Sequence, residues 1–147
     1  MPTADPATST NRHLMAFILA VTLWHLGLAW LLPVTQDEAY YFDWARTLSW
    51  GYFDHPPGVA LLGVTGLLAP GSALAARLGT IAAATLTLIV LAAFYRRCGL
   101  REGSAPLIAL VLVATTAPGL AGGILTTPDT PIGKELDRLC AEIRIGH

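Results

Sequence analysis

The stretch Thr35 to Gly58, TQDEAYYFDWARTLSWGYFDHPPG, holds the side chains of this chain best suited to chemistry. Asp37 and Glu38 are adjacent carboxylates, and a carboxylate within about 3 Å of a hydroxyl can take its proton as a general base. Asp129, in the later stretch TTPDTP, is a further acid at a separate position. The competing role for the Asp37-Glu38 pair is structural: N-cap and first-turn charge for a following helix, favourable to the helix dipole by about 0.3–1 kcal/mol. Both roles stay open on these residues alone. His55 precedes Pro56-Pro57 and must be extended there, so GYFDHPP reads as a stiff turn.

The elements that must position these groups are apolar. Of 147 residues, 54% are hydrophobic and 13% charged, with a mean hydropathy of +0.56, whereas soluble domains carry about 25% charged residues. This is a membrane composition. A net charge of -1 without a basic stripe argues against nucleic acid as a partner. Cys98 and Cys140 fit neither metal-ligand spacing nor a disulfide framework, and no metal site is expected.

Leu14 to Leu32 carries no formal charge over a length close to the ~20 residues that a helix needs to cross a bilayer. A signal peptide is the competing reading, but its apolar region is shorter and ends in a small-x-small site that AWLLPVTQ does not offer. Leu78 to Tyr95 is also uncharged, and Ala73 to Ala76 extend it, with Arg77 snorkelling toward the interface. Ala105 to Leu125 is a third candidate span, with a kink expected at Pro118 and Gly119. Gly58 to Ala69 is too short to cross and suits an interfacial or re-entrant segment. His25, alone in the first span, reads as a helix-packing residue.

The cluster Arg96, Arg97 and Arg101 places its loop in the cytoplasm by the positive-inside rule. The amino terminus then lies inside, and Asp37, Glu38 and Asp129 share the outer face. Tyr40, Tyr41, Phe42, Trp44, Trp50, Tyr52 and Phe53 suit the aromatic belt at headgroup level. Tyr41, Trp44 and Leu48 fall on one helical stripe, which predicts an amphipathic helix on the membrane surface ending at Gly51. The expected fold class is therefore all-α: a polytopic membrane protein of about three transmembrane helices plus an interfacial amphipathic helix.

Taken in order, DEAYYFDWARTLSWGYFDHPPGVALL, ALAARLGTIAAATLTLIVLAAFYRRCG and TTPDTP resemble the amino-terminal part of bacterial membrane glycosyltransferases of family 39 type. These are relatives of protein O-mannosyltransferases and of the lipid A aminoarabinose and galacturonic acid transferases. The resemblance covers Leu14 to about Pro131. It implies a GT-C fold in the bacterial inner membrane and transfer, with inversion, of a sugar from a polyprenyl-phosphate carrier. The acceptor would be a glycolipid, glycan or protein on the extracytoplasmic side. By the same resemblance Asp37 is the catalytic base, Glu38 its motif partner and Asp129 a supporting acid of the second external loop. His55, Arg77 and Tyr41 are the implied substrate-binding residues, Arg77 near the lipid phosphate, where a fixed guanidinium would stabilise charge on the leaving group. Snorkelling remains the alternative for Arg77. No cofactor is implied, and the lack of a Walker or Rossmann glycine motif agrees with a donor already in the membrane.

After Pro131 the family pattern calls for another apolar span, but IGKELDRLCAEIRIGH is charged, with Leu136, Leu139, Cys140 and Ile143 at helical spacing. The expected organisation is thus residues 1–131 as the transmembrane part and 132–147 as an atypical amphipathic tail, the product of truncation or a frameshift. On that reading the isolated chain has little or no activity. A transporter fragment would place acids within spans rather than at their ends. A small non-catalytic membrane protein or assembly partner is the remaining alternative.

Overall fold

The computed structural model describes residues 6–53, 55, 57–99, 104–116, 119, 123 and 124. These residues are all-helical, with no strand among them. In chain order they form α1 (Pro6–Leu31), α2 (Gln36–Arg46), α3 (Gly58–Gly63), a 3-10 helix (Val64–Leu68), α4 (Ala73–Arg97) and α5 (Ala105–Thr115). Two of them, α1 and α4, are long and apolar enough to cross a membrane.

α1 and α4 run antiparallel. Leu14 and Ile18 share a cluster with Leu88 and Ala92, the Thr22 and Thr85 hydroxyls meet at 2.9 Å, and Ala29 lies beside Arg77. Each hydroxyl also lies by a carbonyl of its own helix, Thr22 by that of Ile18 and Thr85 by that of Ile81, so the two protons are shared among three contacts and neither threonine leaves an unpaired polar group in an apolar seam. The outward residues Leu19, Leu23, Trp24, Leu86, Val90 and Phe94 are exposed and apolar. A helix apolar on all sides needs an apolar surround on all sides.

The third expected span is not one continuous helix. α5 ends at Thr115, and Thr116 after it is extended (ψ 154°), two residues before Pro118, a residue that would collide with the carbonyl four positions back in a helix. Leu110 and Ala114 pack with Leu14 and Ile18, while Ile124 packs with Ala29 and Ile81. Ile124 therefore lies at the end of α1 that Arg77 contacts. Gly123 sits under the buried His25 ring, leaving no room there for any side chain.

α2, α3 and the 3-10 helix form a cap against the start of α4. The segment Gly58 to Ala69, expected to be interfacial or re-entrant, folds back on its neighbours, with Val59 and Ala60 fully buried. Glycine makes the close approach possible. A β-carbon on Gly79 would strike the Leu62 carbonyl, and one on Gly66 would strike the Phe42 ring. The Thr65 hydroxyl donates to the Ala75 carbonyl (2.8 Å) and accepts the Gly79 N–H (3.0 Å), joining the 3-10 helix to one i to i-4 step of α4. Gly71, in the left-handed region at φ 86°, turns the chain into α4, which Ser72 caps by accepting the Ala75 N–H at 3.2 Å.

Candidate functional site

The acidic stretch begins with a capping box. Thr35 accepts the Glu38 N–H through its hydroxyl (3.2 Å), and Glu38 returns its carboxylate to the Thr35 N–H (2.9 Å). The pattern Thr-x-x-Glu is a readable start signal, so the cap is Thr35 rather than the Asp37-Glu38 pair. Glu38 fills the N3 position and Asp37 the N2 position beside it.

Glu38 is only 3% exposed and Arg77 only 1%. Arg77 Nε donates to Glu38 Oε1 at 2.7 Å, and Nη2 donates to Oε2 at 2.7 Å, a two-pronged charge-assisted contact. The remaining donors go to α1 and the residues after it: Nη1 to the carbonyls of Ala29 (3.1 Å) and Leu32 (2.8 Å), Nη2 to that of Pro33 (2.8 Å). The reason lies in the sequence. In a continuing helix the Ala29 carbonyl would accept the N–H of residue 33, but Pro33 has none, so the carbonyl needs an outside donor. Arg77 therefore does not snorkel.

Burial raises the Glu38 carboxyl, but the hydrogen bonds from Arg77 and Thr35 and the Arg77 charge outweigh it, leaving Glu38 below the usual carboxylate range. Glu38 stays ionised and internally paired. Asp37 is exposed. Adjacent helical residues diverge by about 100°, so the residue that anchors α2 turns inward and the one beside it turns out.

Asp37, Tyr40, Tyr41 and Trp44 recur at the spacing of one helix face. Tyr40 and Trp44 lie 4.8 Å apart by ring centroids, and Tyr41 meets Trp44 edge-on at 5.1 Å. Tyr52 stacks on Trp44 at 4.4 Å, its ring nearly parallel. His55, half-buried, stands edge-on to Tyr41 at 5.9 Å. Its carbonyl accepts the Tyr52 N–H at 3.2 Å, closing the turn.

α2 ends at Arg46, short of the expected Gly51, and Leu48 is exposed rather than on the stripe with Tyr41 and Trp44. The Tyr52 hydroxyl lies at the end of the helix. It shares its one proton between the carbonyls of Trp44 (2.9 Å) and Thr47 (3.0 Å) and accepts the Ser49 N–H (3.1 Å), while the Thr47 N–H also reaches the Trp44 carbonyl (3.1 Å). Trp50 and Phe53 remain almost wholly exposed.

The structure thus pairs Glu38 with Arg77 and Tyr41 with His55, and leaves Asp37 exposed on the first turn of α2, with Arg77 and Glu38 consumed by each other. Asp129, Asp54, Pro56 and the tail of residues 132–147 lie outside the described residues. Thr35 and Thr65 join the site as supports that the acid-and-aromatic pattern did not single out, and Tyr52, expected only in the aromatic belt, packs on Trp44. Among the described residues no three His, Cys, Asp or Glu side chains gather as a metal site would require. An open groove of about 380 Å³ between α1 and α4, lined by Thr22, Leu26, Ile81, Thr85 and neighbouring apolar residues, carries no titratable group. No protein-family model, curated protein or solved structure matches this chain.

Proposed function

We propose that this chain is the amino-terminal membrane part of a glycosyltransferase that takes sugar from a polyprenyl-phosphate carrier on the extracytoplasmic side of a bacterial inner membrane. The observation that supports this reading best is the setting of Asp37. An exposed carboxylate stands on a helix fixed to the ends of two long apolar helices, beside a cluster of aromatic rings. Such a place suits a reaction between a lipid-borne donor and an acceptor arriving from water.

In this mechanism the acceptor hydroxyl oxygen attacks the anomeric carbon, and Asp37 takes the hydroxyl proton. The bond from that carbon to the phosphate oxygen breaks with its electron pair, so polyprenyl phosphate leaves and the anomeric configuration inverts. Tyr40 and Tyr41, three and four residues after Asp37 on the same helix face, and His55 against Tyr41 would pack against the sugar. Asp129 enters this reading through the resemblance alone.

The test uses the chain in lipid nanodiscs with a radiolabelled polyprenyl-phosphate hexose. Retention of label by the unaltered chain and by Asp37→Asn, with any transfer to a glycolipid acceptor lost in Asp37→Asn, is the expected result. Failure of both proteins to retain label overturns the assignment. Undiminished transfer by Asp37→Asn overturns the base.

A further inference from the structure

We propose that Arg77 and Glu38 are a positioning clamp: Arg77 acts on the acid-bearing helix α2, through Glu38, and not on a ligand. The first support is stoichiometric. A guanidinium has five N–H donors, and each has a carbonyl or carboxylate acceptor within the protein at 2.7 to 3.1 Å. An incoming phosphate would have to displace Glu38 or uncover a backbone carbonyl. The second support is burial, since the side chains of Arg77 and Glu38 are 1% and 3% exposed.

The third support is the origin of the acceptors. Three of them are the carbonyls of Ala29, Leu32 and Pro33, at the end of α1 and in the link to α2. Arg77 thus joins α4, the end of α1 and the first turn of α2 through one rigid plane. Glu38 completes the junction by holding Thr35 and Arg77 with the same carboxylate. With Glu38 locked inward, the direction of Asp37 follows from helix geometry. The catalytic consequence rests on the proposed role of Asp37; the clamp itself does not.

The experiment measures amide hydrogen exchange of the full chain in lipid nanodiscs, following α2 with the middle of α4 as internal reference. Glu38→Gln and Arg77→Lys are each expected to speed exchange in α2 by about ten-fold while the middle of α4 stays within about two-fold. Lysine keeps the charge but lacks the planar fork, so it does not rescue the clamp. A phosphate contact would tolerate lysine and leave α2 unchanged. Wild-type exchange in α2 of Arg77→Lys or of Glu38→Gln overturns the clamp.

The unaltered chain supplies a second readout that does not depend on a variant folding. Glu38 is faced by Arg77 from α4, by Thr35, and by no other charged group with a described contact. Protection of α2, corrected for intrinsic rates, is expected to fall on acidification only below the usual carboxylate range; protection independent of pH to that point and beyond overturns the clamp. Retention of a radiolabelled polyprenyl-phosphate hexose separates this idea from the enzyme reading. Loss of retention in Arg77→Gln with α2 exchange unchanged overturns the clamp, whereas faster α2 exchange supports it whether or not the chain retains the donor.

Discussion

The bundle of α1, α4 and α5 and the cap of α2, α3 and the 3-10 helix are held together by different means. The bundle is a seam of Leu14, Ile18, Leu88, Ala92, Leu110 and Ala114, with the Thr22 to Thr85 contact as a polar tie. The cap depends on single atoms: the absence of a β-carbon at Gly79, one hydroxyl at Thr65 and the forked contact of Arg77 with Glu38. Volume-conserving exchanges are tolerated in the first kind of packing. Removing half of a buried polar contact is not tolerated in the second, because the other half stays desolvated.

Arg77→Met gives the largest expected effect. It leaves the Glu38 carboxylate buried without its partner, and breaking a buried pair in this way costs about 3–5 kcal/mol. Unfolding in detergent, followed by circular dichroism against rising dodecyl sulfate, measures the loss. The pH dependence sharpens the test. In the unaltered chain Glu38 has a depressed folded pKa, so its stabilisation is complete above the ordinary carboxylate value of 4.5 and disappears as pH falls through the lower folded value. In Arg77→Met burial is no longer opposed by the guanidinium, Glu38 becomes easier to protonate, and the deficit shrinks on acidification. A deficit independent of pH would show that the lost packing of the arginine stem outweighs the lost charge.

The same contrast explains how much the sequence reveals. The long uncharged runs Leu14 to Leu32 and Leu78 to Tyr95 announce α1 and α4, because a property averaged over many residues survives local detail. The cap depends on long-range partners. Nothing local near Arg77 names Glu38, 39 positions earlier, and nothing within α2 predicts its stop at Arg46, where the last carbonyls meet a hydroxyl from Tyr52, beyond the helix. The interruption of the third span is half readable, since Pro118 and Gly119 predict a kink there, whereas the helix has already ended at Thr115. Within the site, Thr-x-x-Glu at Thr35 and Glu38 was readable as a capping box, and it gives Glu38 a task apart from that of Asp37. The aromatic residues were readable as a group, whereas the stacking of Tyr52 on Trp44 was not, because ring pairing follows the fold of the loop.

Gly79→Ala carries the next largest effect. The new methyl meets the Leu62 carbonyl, which belongs to backbone and cannot rotate away. Overpacking of this kind costs about 1–3 kcal/mol, and the strain falls on the junction of α3 with α4. The same unfolding titration is expected to show an intermediate loss. Hydrogen exchange is expected to quicken across α3 and the 3-10 helix while the Leu14 to Leu88 seam keeps its protection. Faster exchange throughout both regions would show that cap and bundle open as one unit.

Thr22→Val gives the smallest effect and probes the other side of the comparison. Valine nearly preserves the shape of threonine, so the change removes a hydroxyl without opening a cavity. The Thr85 hydroxyl keeps the Ile81 carbonyl as its acceptor at 2.8 Å, so it is not orphaned when its cross-helix neighbour disappears. Cross-helix polar contacts between apolar spans average about 0.6 kcal/mol, and the expected loss lies near that value, several-fold below that of Arg77→Met. The decisive quantity is the ratio of the two losses in one titration, because errors in the unfolded reference largely cancel there. Equal losses would place a threonine pair in the seam on the same footing as the buried ion pair, and the distinction between a bundle held by area and a cap held by atoms would fail.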